Sequence, residues 1–254
     1  MGKIKTDDPI YLLHEHGIDT ENNIIFLYGE AIYVEPGTDD TEEPGVEYVM
    51  TNRFLKNLHF LMKQGSDKPI LIDMKTNGGD WHEGMAIYDA IKACPNPIVI
   101  LNRTHARSMS SIILQAATKR VMMPHSYFMF HEGELGISGT EKQVRSYIKF
   151  SKADTEVMLD IYTAKMKRKG KYKNQPKKKI RRMLQDFMNK KEDVYISSKE
   201  AVEWGLADSV FDSNWNKLVT EGVCREQNAK TISKNAARSK RKAKKRNRRI
   251  KGKA

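Results

Sequence analysis

Residues 107–133 read RSMSSIILQAATKRVMMPHSYFMFHEG, and the fold class can be argued outward from them. Ser108 opens an apolar segment that predicts a buried helix to about Thr118. RVMMP and SYFMFH then predict two short strands, the second ended by His131. One buried helix between buried strands is the signature of an α/β layer.

The pattern extends in both directions. On the N-terminal side, NIIFLYG (23–29) and PILIDM (69–74) predict strands, as does PIVILN (97–102). Between them, Phe54, Leu55, Leu58, Leu61 and Met62 recur at helical spacing over 51–63. HEGMAIYDAIKAC (82–94) predicts an amphipathic helix ended before Pro95. RTHAR (103–107) reads as a loop leading to Ser108. The acidic segment 35–48, with two Pro-Gly pairs, reads as a loop. On the C-terminal side, a glycine-rich loop (132–140) precedes a long helix (141–166), a basic run (167–182) and a shorter helix to about Asn189. SSKEAVEWG (197–205) predicts a helix capped by serine at one end and glycine at the other, and ADSVF a final strand.

Composition narrows the function classes. The chain has 254 residues and two cysteines, Cys94 and Cys224, too few for a disulfide framework. No apolar run approaches the roughly 18 residues needed to cross a bilayer, and the acidic start predicts no signal peptide. A cytoplasmic protein is expected. The net charge of +13 suggests a nucleic-acid binder until it is located. Residues 225–254 hold 14 of the 45 basic residues and one of the 32 acids, leaving 31 of each sign elsewhere. The excess lies wholly in that tail, which is expected to be a disordered polybasic segment. Three regions follow: an N-terminal segment (1–22) expected to be partly flexible, a globular domain (23–224) containing the basic insertion 167–182, and the tail.

Three segments carry candidate chemistry. The double glycine of TNGGD, Gly78 and Gly79, follows a strand and permits close backbone approach to a ligand, or merely a tight turn. Ser108 at a helix start is either an ordinary N-cap or a nucleophile beside free helix amides. Ser110 and Ser111 are its local rivals. His131 closes a buried strand, a place that suits a general base as well as a simple structural histidine. The triplet His14–Glu15–His16 lacks a third ligand by spacing and reads as solvated.

The order of these segments resembles the ClpP family of serine peptidases, the proteolytic subunits of ATP-dependent proteases and their phage-encoded relatives. NGGDWHEGMAIYDAI (77–91), the opening stretch and AVEWGLAD (201–208) carry the resemblance. It implies a ClpP/crotonase-like α/β fold of repeated strand-strand-helix units with a protruding long helix. It implies Ser108 as nucleophile, His131 as base and Asp193 as the third member of a triad, with the amides of Gly79 and Met109 as oxyanion hole. Glu192 is the rival to Asp193. It also implies a homo-oligomeric ring acting on protein or peptide substrates, without metal or organic cofactor. Any AAA+ unfoldase must be a separate chain, because no GxxxxGK[ST] loop is present. The polybasic tail is free to contact nucleic acid or an acidic partner, as in a phage prohead protease working near DNA.

Five positions depart from the family pattern: Asn77 replaces proline, Arg107 and Ser110 replace small residues, and Glu132–Gly133 replaces Gln-Pro. A catalytically inactive scaffold of the same fold and a crotonase-type acyl-CoA enzyme are the competing readings. Neither needs a serine, a histidine and an aspartate in register.

Overall fold

The computed structural model describes residues 8–29, 45–64 and 67–221. The tail, Cys224 and most of the acidic loop lie outside the described residues. Among those described, the chain is α/β, built on an eight-stranded sheet. Strands β1 (Ile18–Asp19), β2 (Ile24–Tyr28), β3 (Ile70–Thr76), β4 (Ile98–Arg107) and β5 (Lys119–Met122) lie side by side in that order, with β8 (Ser209–Val210) beyond β5. Pairing is parallel from β2 onward, and β1 is an antiparallel edge.

Helices α2 (Tyr48–Lys63), α3 (Trp81–Ala93) and α4 (Met109–Ala116) connect the parallel strands. The main core buries Phe54, Leu58, Ile72, Ile87, Ile113 and Phe128 between these helices and the sheet. A smaller cluster of Leu71, Val99, Leu101, Val121, Phe211 and Leu218 covers the opposite face. Burial on both faces explains why β3 and β4 read as continuous apolar runs. Short α1 (Pro9–His16) begins at Asp8, whose carboxylate accepts from the Ile10 amide, and ends at Gly17. His14, Glu15 and His16 are exposed on it.

One expectation is corrected. RTHAR is not a loop but the second half of β4. The apolar first half of β4 pairs with β5, while His105, Ala106 and Arg107 pair with β6 (Tyr127–Phe130). The polar residues are held in the strand by partners remote in sequence. Arg103 Nε donates to Asp73 Oδ1 at 2.7 Å, and the guanidinium stacks over Trp215. Asp73 is 2 % exposed and also accepts from the Tyr28 hydroxyl at 3.0 Å. Burial, then the Asp73 charge, pushes the Tyr28 phenol up to about 12.

The long helix α5 (Glu141–Arg168) starts at a capping box made by Thr140 and Gln143. Its first half is mainly exposed, and Met158, Leu159, Tyr162 and Met166 pack its second half into the core. The basic run is largely ordered: it ends α5, turns through Gly170, and forms the first part of α6 (Lys177–Lys191). Ile180, Leu184 and Met188 bury one face of α6 and leave its lysines in solvent. Strand β7 (Val194–Ser197) then pairs antiparallel with β6. Helix α7 (Ser198–Trp204) has the expected ends, a capping box from Ser197 and Glu200 and a left-handed Gly205. Helix α8 (Trp215–Thr220) closes the described chain.

Candidate active site

Two strand pairings assemble the site. Parallel pairing sets Arg107 of β4 beside Met129 of β6, and the Ser108 amide donates to the Met129 carbonyl at 3.1 Å. Ser108 therefore leaves β4 beside the end of β6, where His131 follows Phe130. Antiparallel pairing sets Phe130 opposite Val194. The residues just beyond that pair, His131 and Asp193, consequently face each other across the strand ends.

Side chains close the arrangement. The His131 Nε2 atom lies 2.8 Å from Ser108 Oγ, and Nδ1 lies 3.1 Å from Asp193 Oδ1. The second Asp193 oxygen accepts from the Tyr195 hydroxyl at 3.1 Å. That bond, more than burial, raises the Tyr195 phenol above its usual range. The His131 side chain is 17 % exposed and Asp193 38 %, so the carboxylate sits at the rim and the imidazole behind it.

Ser108 holds an uncommon backbone geometry, φ 51° and ψ −126°. A non-glycine residue there is strained, and such strain concentrates where a side chain must be aimed. It occupies the N-cap position of α4, but its hydroxyl makes no capping bond and points to His131 instead.

The rival serines are spoken for. Ser110 Oγ donates to the Arg107 carbonyl at 2.6 Å and accepts from the Arg107 amide. Ser111 Oγ donates to the Ser108 carbonyl at 2.5 Å and contacts the Tyr162 hydroxyl at 2.6 Å. Both are fully buried. Glu192 is exposed where α6 ends, whereas the partly exposed Asp193 carboxylate reaches His131.

The double glycine lies against this corner. Gly78 has φ 108°, and a Cβ on it would sit 2.7 Å from Ser108 Cβ and 3.1 Å from the Met109 amide nitrogen. Gly79 has φ 138° and is clasped by Val46, which bridges to it in parallel and accepts from the Asp80 amide at 2.8 Å. Only glycine allows both approaches. The Met109 side chain packs on Gly84 of α3, where a Cβ would overlap it. At the start of α4 the Ser111 amide donates to the Ser108 carbonyl at 3.0 Å, while helix geometry gives the Met109 amide, next to Ser108, no intrahelical acceptor.

All five residues named from the sequence thus lie on converging elements. Sequence reasoning missed Tyr162 and Tyr195, and it singled out Ser111 only as a rival nucleophile. Tyr162 carried no signal beyond a core position on α5. Tyr195 carried only its spacing from Asp193. Among the described residues, no three His, Cys, Asp or Glu side chains cluster as metal ligands, and no helix is long and apolar enough to cross a membrane.

Residues 43–214 match the Clp protease family, and this span contains every element of the site. The chain belongs to that family. It is also similar to the ATP-dependent Clp protease proteolytic subunit of Deinococcus radiodurans, 28 % identical over 169 residues. That alignment covers 66 % of this chain and 76 % of the Deinococcus protein. Clp protease family membership accounts for the order of motifs from the double glycine to AVEWGLAD.

Proposed function

We propose that this Clp protease family member is a serine endopeptidase in which Ser108, His131 and Asp193 act as nucleophile, base and orienting carboxylate. The observation that carries this reading is the continuous relay Ser108 Oγ to His131 Nε2 and His131 Nδ1 to Asp193 Oδ1, at 2.8 and 3.1 Å. A serine hydroxyl is a weak nucleophile near neutral pH and needs such a base.

In the proposed reaction, Ser108 Oγ bonds to the peptide carbonyl carbon while His131 takes the hydroxyl proton. Asp193 holds the imidazole in the tautomer that leaves Nε2 free, and offsets the positive charge that forms. The amides of Gly79 and Met109 donate to the oxyanion. Collapse breaks the carbon–nitrogen bond as His131 passes its proton to the leaving amine. Water then attacks the acyl-enzyme, again with His131 as base, releasing the acid and restoring Ser108. Each step uses groups of the chain and water.

The Deinococcus relative is named as the proteolytic subunit of an ATP-dependent protease, and this supports reading the present chain as a ring-forming subunit. A separate AAA+ unfoldase would feed it protein substrates in the cytoplasm. The parallel strands β2 to β5, joined by α2, α3 and α4, and the exposed first half of α5 support the finer ClpP/crotonase-like architecture.

Labelling with a fluorophosphonate probe, followed by mapping of the adduct, tests the reading. The expected adduct is on Ser108 and is lost in Ser108→Ala. Failure of the folded protein to label, or labelling retained in Ser108→Ala, refutes it.

A further inference from the structure

A second concave feature stands apart from Ser108. It is a cavity of about 750 Å³ at the other end of α4, lined by the end of α3, strand β5, the C-terminal part of α5, and the β8–α8 segment. None of Ser108, His131 or Asp193 lines it. Its volume falls in the range of roughly 300–1,000 Å³ that small-molecule sites occupy.

Basic residues outnumber acids in the lining: Asp208, Asp212 and Glu221 are its only carboxylates, Asp212 pairs with Lys217 at 3.7 Å near the β8–α8 segment, and the partners of the other cations are unequal. Arg120 is 5 % exposed and binds Asp208 through Nε at 3.0 Å and a terminal nitrogen at 2.8 Å. Its other terminal nitrogen donates to Gln115 and to the Gly205 carbonyl. Lys169 shares the same Asp208 carboxylate at 3.5 Å. One acid therefore serves two cations.

Lys165 reaches the same cavity from α5. Among the described residues it has no hydrogen bond or salt bridge from its ammonium. Burial chiefly, and then the charges of Arg120, Lys92 and Arg168, hold it down to about 7, with Asp208 opposing. A half-buried lysine facing three other cations is an unfavourable arrangement that an anion would relieve.

We propose that this cavity binds a compact phosphate-bearing anion, for which Lys165 and Lys92 supply the charge and the Arg120–Asp208 pair forms the rigid floor. Lysine serves phosphate as a point charge and arginine as a planar donor. The occupant is small because the cations converge within one cavity and do not form an open stripe. Binding draws a proton onto Lys165, since the charged ammonium is the form the anion favours.

The test is calorimetric titration of the full chain with sodium pyrophosphate at fixed ionic strength. Saturable one-site binding is expected, weakened about tenfold or more in Lys165→Met and in Lys92→Met. Lys92 is exposed, so its variant keeps the test valid if Lys165→Met folds poorly. Titrations near neutral pH in two buffers of different ionisation enthalpy should show proton uptake that Lys165→Met abolishes. Deleting residues 225–254 should leave the affinity unchanged. Absence of pyrophosphate binding, parental affinity in both lysine variants, or loss of binding with the tail overturns the proposal. So does an oligoglutamate peptide that binds through Lys165 where pyrophosphate does not.

Discussion

The Tyr162 hydroxyl of α5 lies 2.6 Å from Ser111 Oγ, which in turn donates to the Ser108 carbonyl at 2.5 Å. A fully buried side chain on the long helix thus fixes the backbone of the residue that aims at His131. Tyr162→Phe keeps the ring and removes this tie. A typical net hydrogen bond contributes about 1 kcal/mol, so kcat on a fluorogenic peptide should fall about fivefold. KM and the thermal midpoint should move little. An unchanged kcat would show that Tyr162 only fills the core.

Asp193→Asn should lower kcat by about 10²–10⁴, because an amide no longer holds His131 in the working tautomer. The fold should survive, since the side chain sits at the rim. Glu192→Gln, at the exposed neighbour, should be silent in the same assay. Equal losses from both would reject the assignment of Asp193.

Gly78→Ala places a methyl 2.7 Å from Ser108 Cβ and 2.9 Å from the Arg107 carbonyl, at φ 108°. Neither neighbour is the far end of a flexible chain, so the corner holding Ser108 must shift. Fluorophosphonate labelling should drop at least about tenfold while far-ultraviolet circular dichroism stays native-like, as expected for a misplaced nucleophile. Labelling at the parental rate would mean that the double glycine does not set the serine's position.

Lys165 gives a pH signature in stability. Its folded pKa is lowered to about 7 from the ordinary 10.5. Below about 7 the group is charged in both states, and the folded state bears the full burden of a half-buried ammonium. As pH rises from there towards 10.5 the folded protein binds fewer protons than the unfolded chain, and the burden disappears. Lys165→Met should therefore stabilise the protein on the acid side of that window and lose the advantage on the alkaline side. Urea midpoints of both proteins at several pH values measure this. A stability difference independent of pH contradicts it.

The polybasic tail is expected to bind nucleic acid through phosphates alone. Deleting residues 225–254 should weaken binding to DNA of any sequence at low salt, and the intact chain should lose affinity steeply as salt rises. Equal binding by the truncated chain in a filter or mobility-shift assay would dismiss a role for the tail.

Much of this was legible along the chain. The strand and helix periods predicted the α/β layer, the Ser197 cap and Gly205 bounded α7, and motif order pointed to Ser108, His131 and Asp193. Local pattern failed at 103–107. Arg103, Thr104 and His105 look like a loop until Asp73 and β6 are brought beside them. Ser108 likewise looks like a helix cap, yet its hydroxyl makes no capping bond.

Periodicity and composition alone carry the α/β alternation, the excess positive charge of the tail, and the order of residue types along the chain. Which serine faces the histidine, and which carboxylate backs it, depends on how distant strands pair. That choice depends on β6 pairing with β4 on one side and β7 on the other, between segments far apart in the chain. Hydrogen-bonded register between distant strands leaves no local trace in either partner, and it is this register that brings Asp193 to His131 and His131 to Ser108.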